Sequence, residues 1–385
     1  MMHKPLAIIG GGASATVLLA HCARRKLALA MDVYDRTGAF ARGIAYSTPH
    51  PCHLLNVRAA NMSALADTPD DFVRWIARHG YGPDNFVPRA LYGNYLASHL
   101  EQAQQTLPVS LIQKDVISVR KGTFYEVDGK RYAAVIQATG NCVPLRPRLH
   151  GQVGNYHDSP WDVDYSIFST CNTIAILGCG LSAVDTILAL QAHGYQGRII
   201  MISRRALLPA VHVNVCAHPA WLHTLPATAL AAFRQIRAKI KTTDAPWQSV
   251  IDALRPITNT LWAAWPERQQ QRFMRHLFTY WNIHRHRMAT QTGEILTALE
   301  HSGQLLRQRA RINHIKAGPV IATCQGEIRA DAVINCLGYR YAARNMDAAY
   351  TIGPSAFGRL FETTAIPEIR IQAAALAAVL TGTGT

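Results

Sequence analysis

Glycines at 10, 11 and 12, an alanine at 15 and an aspartate at 35 are spaced as the parts of a phosphate cradle. Leu6, Ala7, Ile8 and Ile9 form an apolar run that leads into Gly10-Gly11-Gly12-Ala13-Ser14-Ala15, a G-x-G-x-x-A turn. In such a turn Gly10 permits a sharp change of direction, Gly12 lets backbone N–H groups approach a pyrophosphate, and Ala15 keeps the next helix close to the sheet. That helix, with Ser14 in its first turn, directs its partial positive charge at the phosphates. Asp35 closes the stretch Asp32-Val33-Tyr34-Asp35 and stands 25 residues after Gly10, where a carboxylate grips ribose hydroxyls. A single turn of this kind also occurs in folds that bind no nucleotide.

A second copy removes that ambiguity. Ile174 to Leu177 leads into Gly178-Cys179-Gly180-Leu181-Ser182-Ala183, and Ile199 to Ile202 supplies the following strand. At the position equivalent to Asp35 the chain has Ser203, followed by Arg204 and Arg205. An acid there repels a 2′-phosphate, whereas a hydroxyl and guanidinium groups hold one. The first cradle therefore suits the ADP half of FAD and the second suits NADPH, although two arginines after a strand also occur simply solvated.

Each cradle must be positioned by a sheet, and the repeat extends that far. Val109 to Asn141 alternates like a β-meander with a hairpin turn at Asp128-Gly129, and ends in a strand that delivers Ala138-Thr139-Gly140 to the cofactor edge. Later, INHIKAGPVIATCQGEIRADAVINCLGY repeats the plan and ends in Cys336-Leu337-Gly338-Tyr339. The expected fold is α/β, with two Rossmann-like, doubly wound, three-layer dinucleotide-binding domains that carry β-meanders, plus a mostly helical insert. The expected boundaries are 1–150 with 340–385 for the FAD domain, 170–207 with 310–339 for the NADP domain, and 208–309 for the insert, a candidate substrate lid.

Composition narrows the function classes. The 385 residues are 49% hydrophobic and 16% charged, with a formal net charge of +15, so the chain is globular and attracts anions. The cations are scattered, without the motifs of nucleic-acid readers, so no nucleic acid is expected as a partner. Eight cysteines occur without any C-x-x-C pair, which suits a reducing compartment and argues against a flavin-linked dithiol. The first twenty residues read as strand and helix rather than secretory signal, no apolar run reaches the length of a membrane span, and cytoplasmic residence is the expectation. His212, Cys216, His218 and His223 match no zinc spacing, and no metal is expected.

Between the cradles, Phe40 to Leu100 is rich in polar and aromatic loop residues. Asn56 and Asn61 lie where a side-chain amide could address a flavin edge, or serve as turn asparagines. Asp67-Thr68-Pro69-Asp70 signals a helix start before Phe72, Trp75 and Ile76, and a further helix opens at Arg89. In the insert, Leu230, Phe233, Ile236 and Ile240 form one apolar stripe, and Phe273, Leu277, Tyr280, Trp281 and His284 share a face of another helix. YWNIHRHRM places His284, His286 and Arg287 beside aromatics, a candidate pocket for an anionic substrate; a histidine on an apolar stripe is more often a core residue. Near the end, Glu362 to Glu368 reads as a helix start, with Thr364 and Ala365 placed to turn the positive helix end toward a flavin.

Two G-x-G-x-x-A cradles, the ATG and CLGY strand ends and a terminal helix resemble the two-dinucleotide-binding-domain flavoproteins. AYSTPHPCHLLNVRAANMSALADTPDDF, FVPRALYGNYL, YWNIHRHRM and FETTAIPEIRIQA resemble a bacterial FAD/NAD(P)-binding family over nearly the whole chain. The pattern is also similar to flavin-containing and N-hydroxylating (class B) monooxygenases, in which an Asn ahead of a serine and a D-x-P turn sits over the flavin. That resemblance implies Asn61 as the catalytic residue and Met62, Ser63, Asp67 and Pro69 beside the cofactor. It further implies FAD-dependent, NADPH-using oxygenation of a small nucleophilic substrate by molecular oxygen through a flavin C4a-hydroperoxide. Two other readings stay open: an NAD(P)H dehydrogenase or reductase with a non-oxygen acceptor, and a nucleotide-binding regulator without turnover. The oligomeric state is not readable.

Overall fold

A computed structural model describes residues 4–141, 143–215, 220–340 and 346–382. The chain divides into two compact units, Met1–Val143 with Tyr339–Thr385, and Pro144–Gly338. In the first unit, β1 (Leu6–Ile9), α1 (Ala13–Arg24), β2 (Met31–Asp35), α2 (Arg89–Thr106), β3 (Val109–Gln113) and β4 (Ala134–Gln137) build a parallel sheet with its crossover helices. Its strand order is Tyr350–Thr351, β4, β1, β2, β3. β1 is central, pairing Leu6 with Met31 on one side and with Ala134 on the other. Both of its faces are covered, which is why LAII is apolar without alternation.

The two faces of that sheet bury different layers. Leu6, Ile8, Met31, Val33 and Ile136 join α1, α2 and the C-terminal helix Ile366–Leu380 in one core. Ala7, Ile9, Tyr34 and Val135 pack on the other face against Val127 and Tyr132. These belong to a three-stranded meander of Val119–Lys121, Tyr125–Val127 and Lys130–Tyr132. Asp128 (φ +43) and Gly129 (φ +88) make its hairpin turn, as Asp-Gly should where both central residues need positive φ. The meander is tied down at buried Asp32, whose carboxylate accepts from the Lys130 ammonium and the Tyr132 hydroxyl, each at 2.6 Å. Tyr132 is in turn 2.5 Å from the Tyr34 hydroxyl.

The meander does not begin at Val109. Val109–Gln113 is instead the edge strand beside β2, with Met31 opposite Val109 and Asp35 opposite Gln113. The preceding helix α2 supplies the crossover that a parallel neighbour requires.

The second unit repeats the plan. β5 (Thr173–Leu177), α3 (Leu181–Ala192), β6 (Arg198–Ser203), β7 (Leu305–Arg309) and β8 (Ala332–Asn335) give a parallel sheet of order Tyr156–His157, β8, β5, β6, β7. Strand for strand this matches the first unit, the fingerprint of a duplicated Rossmann-like architecture. A meander of Ile312–Lys316, Val320–Thr323 and Gly326–Arg329 covers one face, with Ala175, Leu177, Ile202, Ile315 and Ile321 in the shared core.

Between β6 and β7 run the helices Ala229–Thr242, Trp247–Asp252, Thr258–Ala264, Glu267–His276, Phe278–Arg285 and Thr290–His301. The last is the crossover helix of the sheet, so the stretch expected as insert to residue 309 ends in a helix and strand of the sheet itself. Two readings of the insert are corrected. Leu230 departs from the expected stripe at 54% exposed, while Phe233, Ile236 and Ile240 are half-buried beside buried Ala229 and Ala232. Phe273 and His284 lie on separate helices, because the chain breaks at Leu277 (φ −114, ψ −23).

Candidate functional site

In the first unit, Gly10 turns the chain at φ +102, a conformation open to glycine, and its N–H donates to Tyr34 O at 2.8 Å. An added Cβ on Gly10 would lie 2.4 Å from Ala138 O, so the end of β4 rests directly on the turn. Gly12 then caps α1 without any side-chain hydrogen bond, and no acid occupies the first turn. The first bond within the helix is Thr16 N–H to Gly12 O, which leaves the N–H groups of Ala13, Ser14 and Ala15 without helical acceptors. Such a terminus is an anion site by construction.

Asp35 is fixed beside it. One carboxylate oxygen accepts from Gly11 N–H at 3.1 Å, and the other accepts from the Thr37 N–H and hydroxyl at 2.9 and 2.7 Å. Gly140 follows at φ +65 with open space around its Cα. Next to it, the Thr139 and Ser355 hydroxyls are 2.9 Å apart. Gly353 approaches so closely that a Cβ there would meet Ser14 Oγ at 2.1 Å. The C-terminal segment thus reaches the cradle, and Thr364 and Ala365 precede its helix, whose N-cap Ala365 offers no side-chain cap. Thr363 Oγ1 and Gln372 Nε2 are buried without a protein partner, where an added polar ligand would be accepted. The arrangement therefore fits a dinucleotide with Gly10, Gly12, Ser14, Ala15, Asp35 and Gly140 gathered around one helix end.

The remaining candidates have surroundings of their own. Asp67 pairs with Arg24 at 2.9 Å, at the far end of α1, roughly 16 Å along the helix from Ala13. Ser63 is fully buried, its hydroxyl donating to Thr68 O at 2.7 Å, and Met62 lies in the core. Asn61 is exposed on the short turn Ala59–Asn61, and Asn56 sits half-buried in the loop that leads to it. The sequence reading missed Gly43: a Cβ on Gly12 would meet Gly43 Cα at 3.1 Å, and Ala41 N–H donates to Gly11 O at 2.8 Å. Gly43 has φ +61, and a glycine in a loop is the only signal it leaves in sequence.

The second cradle has the same frame. Gly178 (φ +111) donates to Ile202 O at 2.8 Å, and its Cβ would meet Cys336 O at 2.5 Å, as Gly10 meets Ala138. Gly180 caps α3 with nothing within 4 Å of its would-be Cβ, so this turn is open where the first is covered. Ser182 and Ala183 follow in the first turn of α3, and Gly338 (φ +82) repeats Gly140 two residues beyond the contacting carbonyl. Burial pushes the Cys336 thiol up to about 12 and also raises Cys179, so neither is a thiolate near neutral pH. Cys336 faces Thr186, 3.2 Å away, and Cys179 faces Ser203.

At the end of β6, Ser203 Oγ accepts from Ala206 N–H at 2.9 Å. Arg205 lies 4.7 Å over the Tyr280 ring, whereas Arg204 is exposed and has no partner among the described residues. A second guanidinium escaped the sequence reading: Arg309 is opposite Ser203 in the parallel register of β6 and β7 and is also exposed. Partners 106 residues apart in sequence give no warning of each other.

The YWNIHRHRM cluster is internal bracing. Arg287 is 2% exposed, holds Asp252 in a fork at 3.0 and 2.9 Å, and donates to Gln248 O and His284 O. His284 Nδ1 is 2.7 Å from Tyr280 O with its ring edge-on to Trp247. Burial, then Arg285 and Arg255, push His286 down to about 3, so it is neutral. These contacts join two helices and use four of the five N–H donors of the buried Arg287. No cluster of three metal-ligating side chains occurs among the described residues; Cys216 and His218 lie outside them. No helix among the described residues is long and apolar enough to cross a membrane.

Comparison with known proteins agrees with this geometry. Residues 7–141 match the FAD-NAD(P)-binding family. No curated protein matches the sequence. Among solved structures, an ornithine hydroxylase from Pseudomonas aeruginosa is similar at 17% identity, with 99% of each chain covered and a TM-score of 0.65. An ornithine N-hydroxylase from Kutzneria sp. 744 has 12% identity, 98% and 99% coverage and a TM-score of 0.65. A bacillithiol disulfide reductase from Staphylococcus aureus has 12% identity, complete coverage of both chains and a TM-score of 0.60. The fold is therefore the one shared with these enzymes, and the family matched over residues 7–141 is FAD- and NAD(P)-binding.

Proposed function

We propose that the protein is an FAD-dependent, NADPH-using monooxygenase that oxygenates, for example N-hydroxylates, a small nucleophilic substrate. The observation that carries the FAD and NADPH part of the reading is the pair of cradles with the same strand order and glycine turn but opposite charge at equivalent positions: Asp35 in the first, Ser203 with Arg204 and Arg309 in the second. FAD, when bound, supplies a two-electron carrier that can be reduced by a nicotinamide and reoxidised by oxygen.

The chain's own part is binding and orientation. The N–H groups opening α1 hold the FAD pyrophosphate, and Asp35, already anchored by Gly11 and Thr37, accepts from a ribose hydroxyl with its remaining lone pairs. The N–H groups of Leu181 and Ser182 hold the second pyrophosphate above the open Gly180. Arg204 and Arg309 receive a 2′-phosphate while Arg205 stays on Tyr280. Ser355 and Thr139 fix the closing strand of the first unit against its cradle. Asn61, whose exposed side chain has no partner among the described residues, takes the donor role on the strength of its likeness to the asparagine of class B monooxygenases.

Likeness to ornithine hydroxylases supports an amine substrate, and the positive charge of the chain supports an acidic one. The similarity to a disulfide reductase favours a second reading, electron transfer to an acceptor other than oxygen. Against a disulfide acceptor stand the missing C-x-x-C and the protonated thiols of Cys179 and Cys336. The deciding experiment incubates FAD-loaded protein with NADPH, oxygen and a panel of amines and amino acids. Hydroxylated product formed in step with NADPH consumption supports the monooxygenase. NADPH consumption with quinone or dye reduction and no oxygenated product supports the reductase.

A further inference from the structure

The helices between β6 and β7 carry a charge distribution that nucleotide binding does not use. Ala229–Thr242 contains Arg234, Arg237, Lys239 and Lys241 and no acid. Leu230, Arg234, Arg237 and Lys241 recur at helical spacing and are all exposed. Glu267–His276 buries no residue and exposes Arg268, Arg272 and Arg275 at the same spacing. The first turns of the two helices touch, since Ala229 N–H donates to Gln269 Oε1 at 3.3 Å and the Trp265 indole donates to Pro226 O at 2.8 Å. Leu230 and Arg268, both exposed, are the sequence neighbours of Ala229 and Gln269, whose contact joins the two helices. Leu225, in the segment that leads into it, is 37% exposed.

Several arginines elsewhere are held in ion pairs: Arg24 with Asp67, Arg287 with Asp252, Arg307 with Glu300. Arg234, Lys241, Arg268, Arg272 and Arg275 have no ion pair or hydrogen bond from their side chains among the described residues. Like charges on neighbouring helices repel, so such a corner is stable only as an open surface or against a negative partner.

We propose that this corner docks on an anionic lipid bilayer, with the arginines and lysine at the headgroup phosphates and Leu225 and Leu230 entering the boundary with the acyl chains. Charge complementarity selects an anion. The exposed leucines beside the cations select a lipid surface over a nucleic acid, whose phosphates would leave them in water. Reversible attachment takes two weak signals together, and charge with a shallow apolar wedge supplies both. Each cation near such a surface strengthens attachment by roughly fivefold at moderate salt, and the effect fades within a Debye length. The inference is independent of the redox reading, because none of these residues belongs to either cradle.

Flotation of the full-length protein with vesicles tests it, comparing phosphatidylcholine alone with phosphatidylcholine containing phosphatidylglycerol, at low and high salt. Binding is expected only to the anionic vesicles and is lost at high salt. Arg268→Glu/Arg272→Glu/Arg275→Glu should weaken it by more than about tenfold. The milder Arg234→Gln/Arg237→Gln/Lys241→Gln set on the other helix gives the same direction if the first variant misfolds. Leu225→Ser/Leu230→Ser should weaken vesicle binding while leaving retention on immobilised DNA unchanged. Equal recovery with neutral and anionic vesicles, absence of binding to both, or anionic binding untouched by the leucine pair would each overturn the proposal, the last by reducing the corner to a general polyanion surface.

Discussion

Replacing Arg309 by Gln removes one of two exposed guanidiniums at the end of β6 and β7 while leaving their backbone register and Ser203 intact. A charge-assisted contact to a phosphate lies at the low end of its range at an exposed site, about 1.4 kcal/mol, which is about tenfold in Kd. Arg309→Gln and Arg204→Gln should therefore each raise the Kd for NADPH about tenfold, and the double variant about a hundredfold if the two act independently. NADH lacks the 2′-phosphate and should bind all three variants as it binds the parent. Arg205→Gln should change little, because Arg205 is stacked on Tyr280. Stopped-flow reduction of the bound flavin at varied NADPH and NADH gives both dissociation constants in one protein preparation. Equal losses for both nucleotides would refute the argument, since that pattern means damage to the cradle. An unchanged NADPH constant in the double variant would also refute it.

Gly10→Ala puts a Cβ 2.4 Å from Ala138 O at a φ of +102, and should abolish FAD retention and lower stability by roughly 1–3 kcal/mol, read from bound flavin and thermal melting. The two third-position glycines should respond differently: Gly12→Ala meets Gly43 and destabilises the first unit, whereas Gly180→Ala leaves the melting temperature unchanged and raises the KM for NADPH. Arg287→Met leaves Asp252 without its buried partner and should cost about 3 kcal/mol in stability, with no change in substrate KM for the protein that remains folded. His286 is held at about 3 when folded against 6.5 ordinarily, so its contribution is complete above pH 6.5 and is lost as pH falls from there toward 3. Melting temperatures of His286→Gln should fall less steeply than the parent's across that window, and parallel curves would contradict the assignment.

The parts of the fold legible in sequence were those governed by local rules. LAII with its glycine turn and IAIL with its own are short apolar strands opening capped helices, and repetition of the pair marked the duplication. The Asp128-Gly129 hairpin was legible for the same reason, since its turn chemistry is contained in two residues. VSLIQ reads as part of the meander because an alternating edge strand looks alike in parallel and antiparallel sheets; helix α2 before it decides the matter. The site was less legible. Asp67 and Arg287 have the right chemistry for a ligand, yet Arg24 and Asp252 claim them across 43 and 35 residues. Arg309 and Gly43 are set by strand register and loop packing, which periodicity does not encode.

In the proposed function one chain holds FAD in the first cradle and takes reducing equivalents from NADPH held in the second. Visible absorbance of the FAD-loaded protein during anaerobic NADPH titration tests it most directly. The flavin bands should bleach with one equivalent of NADPH and return when oxygen is admitted. A protein that takes up no FAD, or whose bands persist through excess NADPH, would contradict it.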